Sequence, residues 1–163
     1  MAATRRLNEL VVAALSRLEL PPDAVTVALS GGADSAALAY LALQSGADVA
    51  LLHINHGFDA SDRLADAAER IAVRLGKPLR KVDVEVAAGP SPEAKARDAR
   101  YAVFDEVEGV VVTGHTRDDS VETMLINLIR GTGIDGLRGI PYHRSPRVFR
   151  PMLNITRDAT REI

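Results

Sequence analysis

Cysteine and tryptophan are absent from this chain of 163 residues, and aromatic residues make up only 4% of it. The lack of cysteine excludes disulfide bonds, thiolate metal sites and catalysis by a sulfur nucleophile. The few aromatic side chains give no sign of a surface on which nucleic-acid bases stack. A formal net charge of −2 also excludes a chain that is basic throughout, so any nucleic acid would have to meet a local cluster of cations.

Long hydrophobic runs are missing as well. An export signal would need an uninterrupted apolar segment after Arg5 and Arg6, but Glu9 and Arg17 interrupt it. Apolar residues instead recur at helical spacing from Leu7 onward, which predicts an amphipathic first helix. With 47% hydrophobic residues the chain has enough apolar material for one domain core. We therefore expect a single cytoplasmic domain with no membrane segment.

Strand-like and helix-like segments alternate along the chain, which is typical of a parallel α/β sheet. The predicted strands are 24–29, 48–55, 79–86, 109–113 and a last edge strand at 147–150. The predicted helices are 36–43, 61–75, 92–106 and 118–130, with another beginning near 156. The sequence thus predicts an α/β fold with an open, mostly parallel five-stranded sheet and helices on both faces.

A glycine-rich loop joins the first strand to its helix. It consists of Ser30, Gly31, Gly32, Ala33, Asp34 and Ser35. Glycine lets backbone N–H groups converge on an anion, and the helix N-terminus adds partial positive charge. Asp34 would repel a phosphate unless a divalent cation bridged the two, so the loop indicates a magnesium–nucleotide complex. The alternative is that Asp34 or Ser35 only caps the helix and the glycines only turn the chain.

Two other glycine-rich motifs do not fit. A Walker A loop requires a lysine after its last glycine, and none is present here. Gly131, Gly133 and Gly136 have dinucleotide-motif spacing, but they follow a helical pattern rather than a strand. We interpret them as a helix stop followed by a turn.

Polar residues also follow the second predicted strand. In open parallel sheets ligands bind at the carboxyl ends of the strands. Backbone and side-chain groups of Ile54, Asn55 and His56 would suit the edge of an adenine. An ordinary turn into the next helix explains the same residues equally simply.

Arginines are concentrated in two later segments. The helix after the third strand would place Arg97 and Arg100 over the ligand edge, where guanidinium groups neutralise phosphate. The alternative is a solvated helix face on which Arg97 pairs with Glu93. Between 127 and 150, five arginines and one aspartate form a basic stretch that suits RNA phosphates or is simply solvated surface.

Acidic residues crowd the fourth strand exit, after Gly114. The group comprises His115, Asp118, Asp119 and Glu122. Acidic side chains are common at helix N-termini, which is the simpler reading. However, carboxylates at i and i+4 repel one another, so an amine or a metal is their natural partner. The same helix carries an apolar stripe, which we assign to the core: Val121, Met124, Leu125, Leu128 and Ile129.

These motifs carry a family resemblance. The loop from Ser30 to Ser35 resembles the S-G-G-x-D-S motif of PP-loop ATP pyrophosphatases. Five further motifs, in their order along the chain, resemble those of the tRNA(Ile)-lysidine synthetases. The motifs are His53-Ile54-Asn55-His56-Gly57, Glu93 with Ala96-Arg97 and Ala99-Arg100-Tyr101, Thr113 to Thr123, Arg130-Gly131-Thr132-Gly133 and Arg150-Pro151-Met152-Leu153.

The resemblance implies a ligase with ATP and magnesium as cofactors. Members adenylate the ring carbonyl oxygen of the wobble cytidine in tRNA(Ile) with a CAU anticodon, and free lysine then displaces AMP to form lysidine. The resemblance also implies that the Ser30–Ser35 loop, Gly114 and the Ile54–His56 segment bind ATP. Asp34 of that loop would hold magnesium. Arg97 and Arg100 would steady ATP or the activated base. The acidic group with His115 would bind lysine or shape the reacting site.

Departures from the family pattern occur at Thr116 and Ser120, so neither position is expected to be essential. Family members usually continue into tRNA-binding domains, so we expect this chain to be an N-terminal domain without them. A homodimer is left open. Two alternatives also stay open: another PP-loop enzyme, and an ATP-binding module that is inactive in isolation.

Overall fold

The computed structural model describes residues 2–22, 24–57, 61–86 and 91–163, in which strands and helices alternate as predicted. The strands are β1 (Val25–Ala28), β2 (Val49–Asn55), β3 (Leu79–Asp83), β4 (Val110–Thr113), β5 (His143–Ser145) and β6 (Val148–Phe149). The helices are α1 (Ala2–Leu15), α2 (Ala33–Gln44), α3 (Ser61–Leu75), α4 (Pro92–Asp105), α5 (Arg117–Ile129) and α6 (Arg157–Glu162), with a 3₁₀ helix, η1 (Ile134–Arg138).

One sheet contains the strands in the order β3-β2-β1-β4-β6-β5. All neighbours are parallel except β5, which runs antiparallel to β6. The α/β class and the mostly parallel sheet are confirmed, but the sheet has six strands, not five. The extra strand, β5, is a three-residue polar segment without the apolar pattern by which strands are recognised. Because β5 pairs outside β6, the strand predicted near 147–150 is not at the sheet edge.

Two apolar clusters lie on opposite faces of the sheet. On β4, Val112 belongs to one cluster and Val111 to the other, and both are fully buried. This alternation follows from the period of two along a strand. The first cluster packs α1, α2, α3 and α6 against the sheet, whereas the second packs α4 through Val103 and Phe104. Helices therefore cover both faces, as predicted.

The apolar stripe of α5 does not form part of the core, contrary to the prediction. No residue of α5 is buried, and Leu125, Leu128 and Ile129 are 53%, 58% and 85% exposed. Helix α5 follows β4 but contacts mainly η1 rather than the sheet. The periodicity identified the helix correctly, but it could not show that the short η1, rather than the sheet, packs against it.

Two other sequence-based predictions, a helix stop and an amphipathic first helix, agree with the structure. Gly131, the residue after the C-cap Arg130 of α5, has a φ of +71°, as expected of a helix stop. Val11 and Ala14 of α1 are buried against the core, which confirms the amphipathic first helix. Among the described residues, no helix is both long and apolar enough to cross a membrane.

Candidate nucleotide site

A cavity of about 470 Å³ opens at the carboxyl ends of β1, β2 and β4. This is the sheet edge at which ligands bind in open α/β folds. Predicted residues from all four strand exits line it: Ser30, Gly32, Ala33, Asp34, Ser35, Ile54, Asn55, His56, Arg100, Gly114, His115 and Asp119. Leu52 and Phe104 add an apolar wall. Gly31, Arg97, Asp118 and Glu122 do not line the cavity.

The loop after β1 is held by hydrogen bonds between its two serines. The Ser35 hydroxyl accepts from the N–H of Ser30 at 3.2 Å and donates to the carbonyl of Gly32 at 2.9 Å. Gly32 is the N-cap residue of α2, and no side chain caps the helix. The alternative in which Asp34 or Ser35 acts as the cap is therefore wrong. The first N–H groups of α2 have no partner within the helix and lie at the cavity, as an anion site requires.

Two glycines are required for this loop to sit where it does. Gly31 has a φ of +88°, and a Cβ there would lie 2.3 Å from the backbone oxygen of Leu64 in α3. At Gly114 a Cβ would lie 3.0 Å from the backbone nitrogen of Ser35. Close backbone approach, in addition to turn geometry, thus fixes these positions as glycine.

Residues after β2 form one side of the cavity. The buried His53 places its Nδ1 2.8 Å from the carbonyl oxygen of Leu29, so this nitrogen carries the proton. Asn55 donates to Asp83 at 2.9 Å and accepts from the N–H of Gly57 at 3.1 Å, so its side chain shapes the loop. Burial, and then the charge of Arg100, lower the pKa of His56, which favours its neutral form.

His115 is held neutral beside the cavity. Burial, followed by the charge of Arg150, lowers its pKa to about 4, against the opposing pull of Asp119. Its Nδ1 lies 2.9 Å from the hydroxyl of Thr113. His115 therefore carries no charge at neutral pH, and its low pKa makes it a weak proton acceptor.

The acidic residues of α5 have a partner that the sequence did not predict. Arg157, at the start of α6, bonds to Asp119 and lies 2.7 Å from Glu122, while its Nε lies 4.0 Å from Asp34. Its backbone N–H donates to Asp118 at 2.8 Å. Of the pair predicted to repel, Glu122 is thus neutralised by the guanidinium, whereas Asp118 is held by the backbone N–H. No group of three or more metal-type ligands occurs among the described residues.

Asp119 is the most constrained of these carboxylates. Burial alone would raise its pKa, but the N–H and hydroxyl of Thr116, together with Arg157, outweigh burial and hold the pKa below its usual value. The Thr116 N–H and hydroxyl donate to Asp119 at 2.7 and 2.9 Å, and the N–H bond is one half of a capping box at the start of α5. Asp119 is therefore ionised and, like His115, is a weak base. Thr116, fully buried, has a structural role.

Arg97 and Arg144 lie over Tyr101 of α4. Their Cζ atoms are 5.9 and 3.9 Å from the ring centroid, and Arg150 donates to the Tyr101 hydroxyl at 3.2 Å. The alternative in which Arg97 pairs with Glu93 is not observed. Within the described ranges, none of the arginines 97, 100, 144 and 150 forms an ion pair with a carboxylate. We call Tyr101 and these four arginines the Tyr101 cluster. No carboxylate of the described residues balances its positive charge.

The rest of the predicted basic stretch does not join this cluster. Arg138 pairs with Asp135 at 3.3 Å on the surface, and Arg147 donates to the backbone of Val107 at 3.1 Å. Sequence reasoning counted Arg144 in the basic stretch and Tyr101 in a family motif, but it did not predict their contact, and it assigned no role to Arg157. Arg157 is far from Asp34 in the chain, and no local pattern marks such a contact.

A mostly parallel α/β sheet with a serine–glycine loop and open N–H groups at its carboxyl edge defines a nucleotide-binding protein of the α/β class. A family model described as a PP-loop domain matches residues 2–163, and the chain belongs to that family.

Curated relatives are similar across most of the chain. It is 41% identical over 160 residues to a tRNA(Ile)-lysidine synthase from Salinispora tropica, covering 88% of this chain and 48% of that protein. It is 42% identical over 149 residues to a tRNA(Ile)-lysidine synthase from Ralstonia nicotianae, covering 82% of this chain and 32% of that protein. The chain thus spans between about a third and a half of these relatives.

Solved structures share the fold. A U34-tRNA thiolase from Methanococcus maripaludis superimposes with a TM-score of 0.66 at 19% identity, covering 98% of this chain and 62% of that chain. An NMN synthetase from Francisella tularensis superimposes with a TM-score of 0.58 at 14% identity, covering 99% of this chain and 69% of that chain. At these identities the likeness concerns the fold alone.

Proposed function

We propose that this chain is the ATP-using catalytic domain of a tRNA(Ile)-lysidine synthetase. The observation that carries the proposal is the cavity at the strand ends, where the Ser30–Ser35 loop meets His115, Asp119 and Arg100. The identity of about 40% with curated lysidine synthases supports the same activity. The substrates are ATP, free lysine and tRNA(Ile) with a CAU anticodon. The proposed location is the cytoplasm, where tRNA is modified.

The loop would bind the phosphates of ATP. The open N–H groups at the start of α2 suit an anion, and the apolar wall of Leu52, Ile54 and Phe104 suits a planar base. Magnesium usually takes one or two carboxylates together with substrate phosphates. Asp34 lies at the loop and fits that role. The ion would neutralise phosphate charge there.

The proposed reaction has two steps. The carbonyl oxygen at C2 of the wobble cytidine attacks the α-phosphorus of ATP, an O–P bond forms, and pyrophosphate leaves. The uncharged ε-amine of lysine then attacks C2, a C–N bond forms, and the C–O bond breaks to release AMP. The ε-ammonium group of free lysine must first lose a proton to give this uncharged amine. Because the pKa values of His115 and Asp119 are low, neither is a strong acceptor for it.

The Tyr101 cluster would meet the RNA. Its arginines have no carboxylate partner in the described part of the chain, and Arg97 and Arg144 are exposed. RNA supplies phosphates for such cations, and unstacked bases pack on arginine and tyrosine planes. Arg100 continues the positive charge into the cavity, so an RNA strand held at Tyr101 would place a flipped base beside the bound nucleotide.

The test is ATP-dependent attachment of labelled lysine to a tRNA(Ile) transcript with a CAU anticodon. The Salinispora tropica relative serves as the positive control. We expect label in the RNA with this chain, loss of it with Asp34→Asn, and no change with Asp48→Asn, an exposed carboxylate at the opposite end of β2. Attachment that survives Asp34→Asn contradicts the proposal. If the relative attaches lysine and this chain only binds ATP, the chain is a nucleotide-binding module.

A further inference from the structure

The Arg157 guanidinium occupies the acidic group of α5, whose like charges predict an amine or a metal as partner. Its Nη1 lies 2.7 Å from Glu122 Oε1, its Nη2 bonds to Asp119 Oδ1 and lies 3.3 Å from Glu122 Oε2, and its Nε is 4.0 Å from Asp34 Oδ2. A guanidinium and an alkylammonium satisfy the same carboxylate oxygens. The two cations cannot hold the same oxygens at once.

The anchoring of α6 does not depend on that guanidinium. The Arg157 backbone N–H donates to Asp118 at 2.8 Å, and the Thr160 hydroxyl donates to Asp34. Thr156 caps the helix by accepting from the N–H of Ala159 at 3.3 Å. These contacts use backbone or hydroxyl groups, so the long Arg157 side chain can change its rotamer while α6 stays docked.

Solvent reaches the ion pairs. The side chains of Arg157 and Asp119 are 26% and 25% exposed, and that of Glu122 is 57% exposed. Water competes for the exposed Glu122 carboxylate, whereas the pair with Asp119 is partly buried. An incoming cation therefore reaches this group from the side of Glu122.

We propose that Arg157 is a positioning residue that holds Asp119 and Glu122 in the absence of substrate, and that the ammonium of the amine substrate displaces its guanidinium from them. This inference rests on the proposed function for the identity of the amine. Until then Arg157 neutralises the two carboxylates on α5, so its guanidinium competes with the ammonium for the same oxygens. Arg157 thereby also sets selectivity, since only a cation that competes with a guanidinium gains the site.

The first test observes Arg157 directly in the unmodified protein, without RNA or ATP. Its side-chain Nε–H resonance is assigned by its loss in Arg157→Lys. We expect saturating free lysine to shift that resonance, while norleucine, which lacks the ε-ammonium, leaves it in place. A resonance that lysine does not move overturns the inference.

The second test measures the lysine Kd by calorimetry. Removal of the competing cation in Arg157→Gln should tighten lysine binding about fivefold. Arg157→Lys, which keeps a positive charge, should bind with a Kd between the two, and Arg161→Gln, an exposed arginine on the same helix, should match the wild type. Equal or weaker binding in Arg157→Gln contradicts displacement. Displacement without lysine attachment to RNA would refute the proposed function and leave this inference standing.

Discussion

Protonation of His115 couples the candidate site to the stability of the fold. The folded chain holds the pKa of His115 at about 4, mainly through burial, whereas an unfolded histidine titrates near its ordinary value of 6.5. Between these two pH values the unfolded chain binds a proton that the folded chain does not. Stability therefore rises with pH across this window and falls on acidification below 6.5.

The size of the effect follows from the two pKa values. A shift from 6.5 to about 4 corresponds to about 3 kcal/mol of unfolding free energy, lost progressively between pH 6.5 and pH 4. That is a large part of the stability of a domain of this size. Asp119 acts in a different window: its pKa is lowered, so its contribution is lost only as the pH falls through still lower values.

The assay is denaturant unfolding at several pH values, compared between the wild type and His115→Gln. Glutamine keeps a hydrogen-bonding group near Thr113 but does not titrate. We expect the wild type to lose about 3 kcal/mol more than this variant between pH 6.5 and pH 4. The control is His143→Gln, because His143 is exposed and should behave as the wild type. Parallel pH profiles for the wild type and His115→Gln would refute a buried, neutral His115.

Three further experiments test packing and charge. Gly31→Ala should cost at least about 2 kcal/mol, whereas Gly46→Ala, with a φ of +85° but open space around it, should cost about 1 kcal/mol; equal losses in thermal unfolding would argue against the close approach at Gly31. Phe104→Ala should cost about 3–5 kcal/mol and Leu125→Ala less than about 1 kcal/mol, and a large loss at Leu125 would return the α5 stripe to the core. Arg144→Gln should weaken binding of tRNA and reduce the slope of affinity against salt by about one, and an unchanged slope would place the RNA elsewhere.

The sequence predicts this fold well where patterns are local. The apolar runs of β1 and β4, the loop from Ser30 to Ser35 and most helix bounds follow from periodicity and turn chemistry. β5 escaped prediction because three polar residues form a strand only by pairing with β6. The exposure of the α5 stripe was not predicted, because an amphipathic pattern shows which side of a helix is apolar but not what packs against that side.

In the candidate site, too, local features were predictable from the sequence and long-range contacts were not. Residues at strand exits were predictable, because parallel strands bring their carboxyl ends to one edge. Arg157 was not, since its contacts with Asp34 and Asp119 join distant parts of the chain. The alternative pair of Arg97 with Glu93 shows a different limit: at helical spacing the aromatic ring of Tyr101 is an equally close partner for the guanidinium.

The most direct test of the account is binding of ATP to this chain by calorimetry, with and without magnesium. We predict saturable binding that depends on magnesium. Asp34→Asn should weaken this binding about tenfold or more, and Asp48→Asn should leave it unchanged. Absence of ATP binding, or equal affinity in Asp34→Asn and the wild type, would contradict the central claim that the Ser30–Ser35 loop holds the nucleotide.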